Sequence, residues 1–219
     1  MKGGLDTSNA AIQAAMSAIL DAQSALAGLS PAVRDADWYR LMADRHEEAG
    51  RYEEALAAYQ RALALDPADP FTHNNVAGVY LRLGRLQEAQ REYEERVRLR
   101  PEDALNALVH LGIIACRQGD QEMANAHFTK ALDIWDTAWE RKLQPPAALL
   151  ENKALALLGL NRTDEAIATL EEALDCRSPD DTIDVYDYQL LASSPQPPQA
   201  IDRVLAILQS CTVSKDGAG

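Results

Sequence analysis

A repeat of 34 residues is the feature that most constrains how this chain can fold. The segment GRYEEALAAYQRAL, from Gly50 to Leu63, returns as GRLQEAQREYEERV, from Gly84 to Val97. Looser copies begin at Gly119 and Asn161. A unit of this length buries its apolar face only against its neighbours, so the sequence predicts a stacked array of similar units.

Each copy contains two helical patterns that are joined at a glycine or an asparagine. Glycine enters the left-handed backbone conformation without strain and asparagine is the next best residue, so we expect Gly50, Gly84, Gly119 and Asn161 to end the first helices. The second helices share a small alanine that is followed four residues later by a large apolar residue. These pairs are Ala55 and Tyr59, Ala89 and Tyr93, Ala124 and Phe128, and Ala166 and Leu170. The pattern predicts close helix contacts, with the large residue filling the gap between hairpins.

These residues resemble the tetratricopeptide repeat (TPR) family over residues 36–180. The resemblance implies an all-α fold, a right-handed superhelical solenoid of about four helix-turn-helix hairpins, with an extra N-terminal helix and a C-terminal capping helix. The hairpins are expected at 36–69, 70–103, 105–146 and 147–180. Ala131 and Ala173 occupy equivalent positions but are 42 residues apart. The surplus predicts a second helix in the third hairpin that is longer by about two turns.

The N-terminal segment 1–30 is expected to form a separate helix over 8–29. Its apolar residues follow a short heptad-like seam, Ile12, Met16, Ile19 and Leu26. Four interpretations stay open. The helix covers the first hairpin, it pairs with a second copy of the chain or a partner helix, it lies in the groove of the solenoid as an internal competitor, or it is mobile in the free protein.

The C-terminal segment 181–211 is predicted to contain an acidic cluster and a capping helix. The acidic residues Asp180, Asp181, Asp184 and Asp187 lack calcium-loop spacing, so we expect a solvated or helix-capping face. An apolar face at Ile201, Val204, Leu205 and Leu208 is expected to close the last hairpin. Residues 212–219 are expected to be a disordered tail.

Composition narrows the classes of partner. The chain carries 34 acidic against 21 basic residues, a net charge of −13, which argues against nucleic acid and against anionic membrane surfaces. No run of 18 apolar residues and no signal-peptide core is present in the sequence. The three cysteines form no disulfide framework, so a cytoplasmic location is expected.

We do not expect an enzyme. The sequence contains no phosphate-binding loop, nucleophile elbow or metalloprotease motif, and no cofactor or metal is implied. His46 and His73 occupy positions where the family places packing aromatics, so structural roles are expected for them. His110 differs because its side of the helix is predicted to point into the groove.

A groove for a protein or peptide partner is the better hypothesis, because the first helices of such a stack line its inner surface. Helical spacing predicts a peptide-binding set of Arg40, Asp44, Asn74, Asn75, Arg82, Asn106, His110, Ile113 and Arg117. Asparagine can donate to and accept from an extended backbone, and arginine can hold a carboxylate. Arg82 and Arg117 occupy equivalent positions and could form a clamp, or could pair with local acids.

The resemblance includes a chaperone-adaptor class that grips a C-terminal carboxylate with lysine, arginine and asparagine. Arg40 and Asn75 match that pattern, whereas Asp44, Asn106 and His110 depart from it, so we expect a different peptide or helix. The predicted function is a non-enzymatic scaffold or adaptor that binds in the concave groove. The alternatives are homo-oligomerisation or assembly through helix 8–29, and a regulatory sensor domain.

Overall fold

The computed structural model describes residues 35–138, 147–177 and 185–216, and the regular structure in these ranges is helical. We number the helices α1 (Ala36–Glu48), α2 (Tyr52–Leu65), α3 (Pro70–Arg82), α4 (Leu86–Leu99), α5 (Leu105–Gln118), α6 (Gln121–Ala138), α7 (Ala147–Gly159), α8 (Thr163–Asp175), α9 (Tyr186–Ala192) and α10 (Ile201–Asp216). A short 3₁₀ turn, Pro101–Asp103, precedes α5. The predicted helix 8–29 lies outside the described residues, as do Asp180, Asp181 and Asp184.

Helices α1 to α8 form four antiparallel pairs that stack in chain order. Each pair packs internally, and its second helix packs on the first helix of the next pair. Helix α5 also contacts both α7 and α9. The predicted all-helical solenoid is therefore confirmed.

Left-handed residues make the turn inside each pair, as the sequence predicts. The φ angles are 70° at Gly50, 72° at Gly84, 80° at Gly119 and 57° at Asn161. The amide that follows each of these residues donates to a carbonyl five positions earlier, as from Arg51 to His46. These bonds satisfy carbonyl groups that the end of a helix leaves free, and they fix the angle between the two helices.

The alanine and the large apolar residue of each second helix are buried, as predicted. Ala55, Ala89, Ala124 and Ala166 are at most 2% exposed, and Tyr59, Tyr93, Phe128 and Leu170 at most 1%. The small side chains allow the helices to approach closely, and the large ones fill the remaining space. The spacing between hairpins is therefore set by a single position that recurs in every repeat.

Arg96 stands where the other copies have a late alanine, Ala62, Ala131 or Ala173, and it is nevertheless buried. Its guanidinium donates to the Arg100 carbonyl at 2.9 Å and to the Asp103 carboxylate at 2.6 Å. A buried charge needs such partners. The substitution therefore ties the end of α4 to the 3₁₀ turn that leads into α5.

Phe128 is held between two glycines of neighbouring first helices. A Cβ atom added to Gly112 on α5 would lie 2.5 Å from the Phe128 ring, and one added to Gly159 on α7 would lie 2.2 Å from it. Real side chains do not approach this closely, so the ring cannot move away from one glycine without meeting the other helix. In the preceding repeat, Gly78 has more room, since its added Cβ would meet only the Tyr93 hydroxyl at 3.9 Å.

The C-terminal part differs in length from the prediction. Helix α10 buries Ile201, Val204 and Leu208 in the same apolar cluster as the last two pairs, and so acts as the expected cap. It continues to Asp216, into the segment from residue 212 for which the sequence predicts a disordered tail. The sequence has no glycine or proline between Ile201 and Gly217 to end the helix earlier. Helix α6, with 18 residues, is four residues longer than α2 within its described part.

Replacing Gly112 with alanine tests the packing of Phe128. We expect Gly112→Ala to reduce the free energy of unfolding by about 1–3 kcal/mol, because the added methyl group overpacks a ring that is confined on both sides. Thermal or urea unfolding of the purified chain measures this change. Gly78→Ala, at the equivalent position 34 residues earlier, is the control. It should leave stability unchanged or raise it by up to about 1 kcal/mol, since alanine favours the helix. Equal losses in the two variants would contradict the confined-ring interpretation.

Candidate functional site

A polar cleft of about 160 Å³ lies on the inner surface formed by the first helices of the first three repeats. Its lining residues come from α1, α3, α4, α5 and α9. They are Glu47, Asn74, Asn75, Gly78, Leu81, Arg82, Tyr93, Asn106, His110, Tyr186 and Asp187. The successive first helices lie side by side because the repeats stack in register, so residues far apart in the sequence meet in this cleft.

Two carboxyl groups share one hydroxyl group at the α1 side of the cleft. The Tyr59 hydroxyl lies 2.5 Å from Asp44 Oδ1 and 3.0 Å from Glu47 Oε2. Asn75 Nδ2 donates to Asp44 Oδ1 at 3.4 Å. A hydroxyl group carries one hydrogen, so it can donate to only one of the two carboxylates at a time. Burial, opposed by the Tyr59 hydrogen bond and reinforced by Asp44, raises the pKa of Glu47.

The opposite end of the cleft contains a buried histidine and an aspartate. His110 Nε2 lies 3.1 Å from Asp187 Oδ2, and His110 Nδ1 lies 2.9 Å from the Asn106 carbonyl oxygen. Both acceptors favour a proton on the nitrogen that faces them. Burial opposes the charged ring, but Asp187 and the Asn106 carbonyl outweigh it, and the pKa of His110 is raised. The ring also stacks on Tyr93, with centroids 5.0 Å apart and planes 11° apart.

Helix α9 forms the wall of the cleft at this end. The Arg82 guanidinium lies over the Tyr186 ring, 4.1 Å from its centroid, and the Tyr186 hydroxyl donates to the Leu81 carbonyl at 2.6 Å. Beyond α9, Arg117 donates to the Ser193 carbonyl oxygen. Part of the inner surface is therefore covered by the chain itself.

The wall is a fixed part of the fold. Tyr188 and Leu191 on α9 are 2% and 0% exposed, and both belong to the main apolar cluster. Burial of a large apolar side chain stabilises the folded state by about 1.5–3 kcal/mol. The burial of Tyr188 and Leu191 therefore stabilises the docked position of α9 by several times the thermal energy. Helix α9 stays in place, and the cleft is the space that it leaves open.

Two family models match most of the repeat region. One, described as "TPR repeat", matches residues 43–84, and the other, described as "Tetratricopeptide repeat", matches residues 70–137 and 103–178. The chain belongs to the tetratricopeptide repeat family. TPR domains are generally non-enzymatic modules for protein interaction, and the stack gives this chain the concave surface that such modules use.

Curated relatives with established sequence similarity cover only part of this TPR chain. The "TPR repeat-containing thioredoxin TTL4" of Arabidopsis thaliana is 38% identical over 95 residues, which are 43% of this chain and 14% of that protein. The "Photosystem I assembly protein Ycf3" of Cyanophora paradoxa is 36% identical over 101 residues, which are 42% of this chain and 58% of that protein. The matched part is thus less than two thirds of each relative.

Solved structures of the protein MamA share the fold of this TPR chain. Two crystal structures superpose with TM-scores of 0.53 and 0.52 at 15% and 14% sequence identity. They cover 75% and 77% of this chain, and 90% and 86% of the MamA chains. At this identity the likeness supports the solenoid architecture and nothing more specific.

Five of the nine residues that the sequence nominates line the cleft. These are Asn74, Asn75, Arg82, Asn106 and His110. Asp44 does not line the cleft, but it shares a contact to the Tyr59 hydroxyl with Glu47, which does. Arg40 lies elsewhere, where it binds Asp37 at 2.8 Å and Asp69 at 3.1 Å. Arg117 contacts the residue after α9 and does not line the cleft.

Two of the expectations are wrong. Ile113 is fully buried, because α5 is covered by α7 and α9 as well as by its own partner α6, so this side chain belongs to the core and not to a groove. Asp187 is not on a solvated face, since its side chain is 28% exposed and pairs with His110. An acid at this position supports the fold because a buried histidine is opposite it.

Sequence reasoning missed the contribution of α9 and of two tyrosines. Helix α9 has only seven residues, too few for a periodic pattern that would place Tyr186 and Asp187. The sequence contains a weak indication that the hydroxyl groups of Tyr59 and Tyr93 have a role besides packing. The third repeat has Phe128 at the same position, so packing alone needs no hydroxyl group.

The described residues, 35–138, 147–177 and 185–216, contain no group of three or more His, Cys, Asp or Glu side chains that could hold a metal ion. Of the helices in these ranges, none has the length and the apolar content that crossing a bilayer requires.

Replacing Asp187 with asparagine tests the buried pair. We expect the pKa of His110 to fall in Asp187→Asn, which a titration of the imidazole signals by NMR measures. The raised pKa of His110 stabilises the fold at low pH, and this contribution is lost as the pH rises through the folded-state value. The lowered pKa of Asp187 stabilises the fold at higher pH, and that contribution is lost as the pH falls through the folded-state value.

The stability of the same variant should therefore depend on pH. Near pH 6 both groups are charged in the wild-type chain, and we expect Asp187→Asn to cost about 1–3 kcal/mol of unfolding free energy. The difference should shrink as the pH rises from 6 through the raised folded-state pKa of His110, because the ring then loses its proton. A constant difference across this range, or an unchanged His110 titration, would contradict the ion pair.

Proposed function

We propose that this chain is a non-enzymatic interaction scaffold that binds a segment of a partner protein in the cleft on its concave surface. The observation that carries the proposal is the cleft itself, which gathers polar side chains from three successive first helices next to a fixed wall. Asn74, Asn75 and Asn106 supply donors and acceptors of the kind that bind an extended peptide backbone. The family assignment supports the same class of function.

The size of the cleft favours a peptide over a small-molecule ligand. Pockets for cofactors and drug-sized ligands usually have volumes of about 300–1,000 Å³ and mainly apolar walls. The cleft is about 160 Å³, and most of its lining residues are polar or charged. One or two side chains of a partner fit such a space, so the regulatory-sensor alternative is disfavoured.

Helix α9 determines which part of the inner surface is available. Contacts from Tyr186, Asp187 and Ser193 engage Arg82, His110 and Arg117. Both arginines of the predicted clamp therefore already contact groups of the chain itself, Tyr186 and the Ser193 carbonyl. A partner segment that approaches the cleft reaches the first two repeats and the α5 residues Asn106 and His110.

A role in the assembly of a protein complex is the more specific form of this proposal. Its support is the 36% identity to the "Photosystem I assembly protein Ycf3" over 101 residues. A scaffold of this kind binds a subunit while others join it.

Filling the cleft tests the proposal. Gly78 lies on the cleft wall, and a Cβ atom added there meets only the Tyr93 hydroxyl at 3.9 Å, so a larger side chain at this position extends into the cleft without disturbing the core. Peptides selected from an unbiased display library on the wild-type chain are titrated against Gly78→Leu. We expect at least a tenfold loss of affinity, measured by calorimetry or fluorescence anisotropy.

Gly78→Ala is the matched control, because it makes the same backbone change and adds a single methyl group. It should bind within about threefold of the wild type, and both variants should keep the helical circular dichroism spectrum. Peptides that bind Gly78→Leu as tightly as the wild type would show that the cleft is not the binding site.

A further inference from the structure

The hydroxyl group of Tyr93 is the first observation that points to a ligand. Tyr93 is 1% exposed and lines the cleft between Glu47 and Asp187, both of which raise the pKa of its hydroxyl in addition to the effect of burial. Among the described residues, no hydrogen-bond partner is present for this hydroxyl. Because Tyr93 lines the cleft, a group that binds there can form a hydrogen bond with this hydroxyl.

At the α1 side of the cleft, the carboxyl groups of Asp44 and Glu47 share a single hydrogen-bond donor. Asp44 and Glu47 both contact Tyr59, which has one hydrogen for the two of them. Asp44 has the shorter contact and also receives Asn75 Nδ2, so Glu47 is the acceptor that lacks a donor. Glu47, and not Asp44, lines the cleft.

The charges around Glu47 favour a cation from outside. Burial raises the pKa of Glu47, Tyr59 on α2 and Arg82 on α3 lower it, and Asp44 and Glu48 on its own helix raise it, with a net upward direction. The Arg82 guanidinium lies over the Tyr186 ring, 4.1 Å from its centroid. Around Glu47 itself, two further acids, Asp44 and Glu48, therefore stand against one cation, Arg82.

Asn106, which lines the cleft, has a side-chain oxygen without a hydrogen-bond donor among the described residues. Asn152 Nδ2 donates to the Ala148 carbonyl at 2.8 Å, which leaves Asn152 Oδ1 as the acceptor for Asn106 Nδ2 at 3.3 Å. The orientation of the Asn106 amide follows, and its Oδ1 is a buried acceptor without a partner among the described residues. The lining therefore contains a buried oxygen acceptor, Asn106 Oδ1, that can take a further N–H donor.

We infer that the cleft takes a cationic side chain, arginine or lysine, from the partner segment, and that its N–H groups bind Glu47 and the Tyr93 hydroxyl oxygen. This inference rests on the proposed function and names the chemistry of the partner. An arginine has five N–H donors and a lysine three, whereas an acidic side chain has none to give to Glu47. The net charge of −13 attracts a basic segment from a distance as well.

Four blocked tripeptides of the form Ac-Gly-X-Gly-NH₂ test the inference, with X as arginine, lysine, citrulline or glutamate. Citrulline has nearly the shape of arginine without its charge. The ¹⁵N-labelled full chain is titrated with each peptide, and the amide signals of Glu47 and Gly78 report on the cleft. We expect the arginine and lysine peptides to bind at least fivefold more tightly than the citrulline peptide, and the glutamate peptide to bind most weakly.

A charge-matched pair of variants locates the effect. Glu47→Gln should weaken binding of the arginine peptide about tenfold, because it removes a charge-assisted hydrogen bond. Glu48→Gln removes the same charge from the adjacent, exposed residue and should change binding less than twofold. Equal binding of arginine and citrulline, tighter binding of glutamate, or equal effects of the two variants would overturn the inference.

The outcome is separable from that of the proposed function. Library peptides that Gly78→Leu excludes, but that carry no arginine or lysine, would leave the scaffold proposal in place and refute the cationic ligand. Library peptides that Gly78→Leu does not exclude would refute the use of the cleft itself.

Discussion

The packing of one large side chain between neighbouring hairpins is the interaction on which the rest of this structure depends. Tyr59, Tyr93, Phe128 and Leu170 are almost completely buried, each four residues after a buried alanine. The alanines let the helices approach, and the large residues set how far apart they remain. Because this contact recurs with the repeat, the first helices lie in register and their polar faces form one continuous inner surface.

In two of the repeats, the same position also supplies a hydroxyl group to the inner surface. In the first two repeats it is a tyrosine, whose ring packs in the core while its hydroxyl reaches Asp44 and Glu47 or the floor of the cleft. In the third repeat it is Phe128, which has no hydroxyl and is enclosed by Gly112 and Gly159. The first two repeats therefore place tyrosine hydroxyl groups near the cleft, whereas the third repeat contributes Asn106 and His110 to its lining and Phe128 to the core.

Helix α9 turns an open groove into a bounded cleft. Its apolar side belongs to the main core through Tyr188 and Leu191, and its polar side presents Tyr186 and Asp187 to the repeats. The core contacts outweigh what a single polar contact contributes, so α9 stays docked on the repeats. A short helix after the last repeat thus limits the available surface and completes the polar lining.

The sequence alone determined the repeat, the helical pairs, their left-handed turns and the buried position in each second helix, because these features arise from interactions within about 34 residues and recur. It also placed Asn74, Asn75, Arg82, Asn106 and His110 on the inner surface, where they line the cleft, because the face of a helix on which a residue lies follows from local spacing.

Only the tertiary structure decided that Ile113 belongs to the core, that Asp187 pairs with His110 across 77 positions, and that Tyr186 meets Leu81 across 105. Contacts between a seven-residue helix and distant repeats leave no periodic trace, because they depend on where the chain returns after the stack is complete.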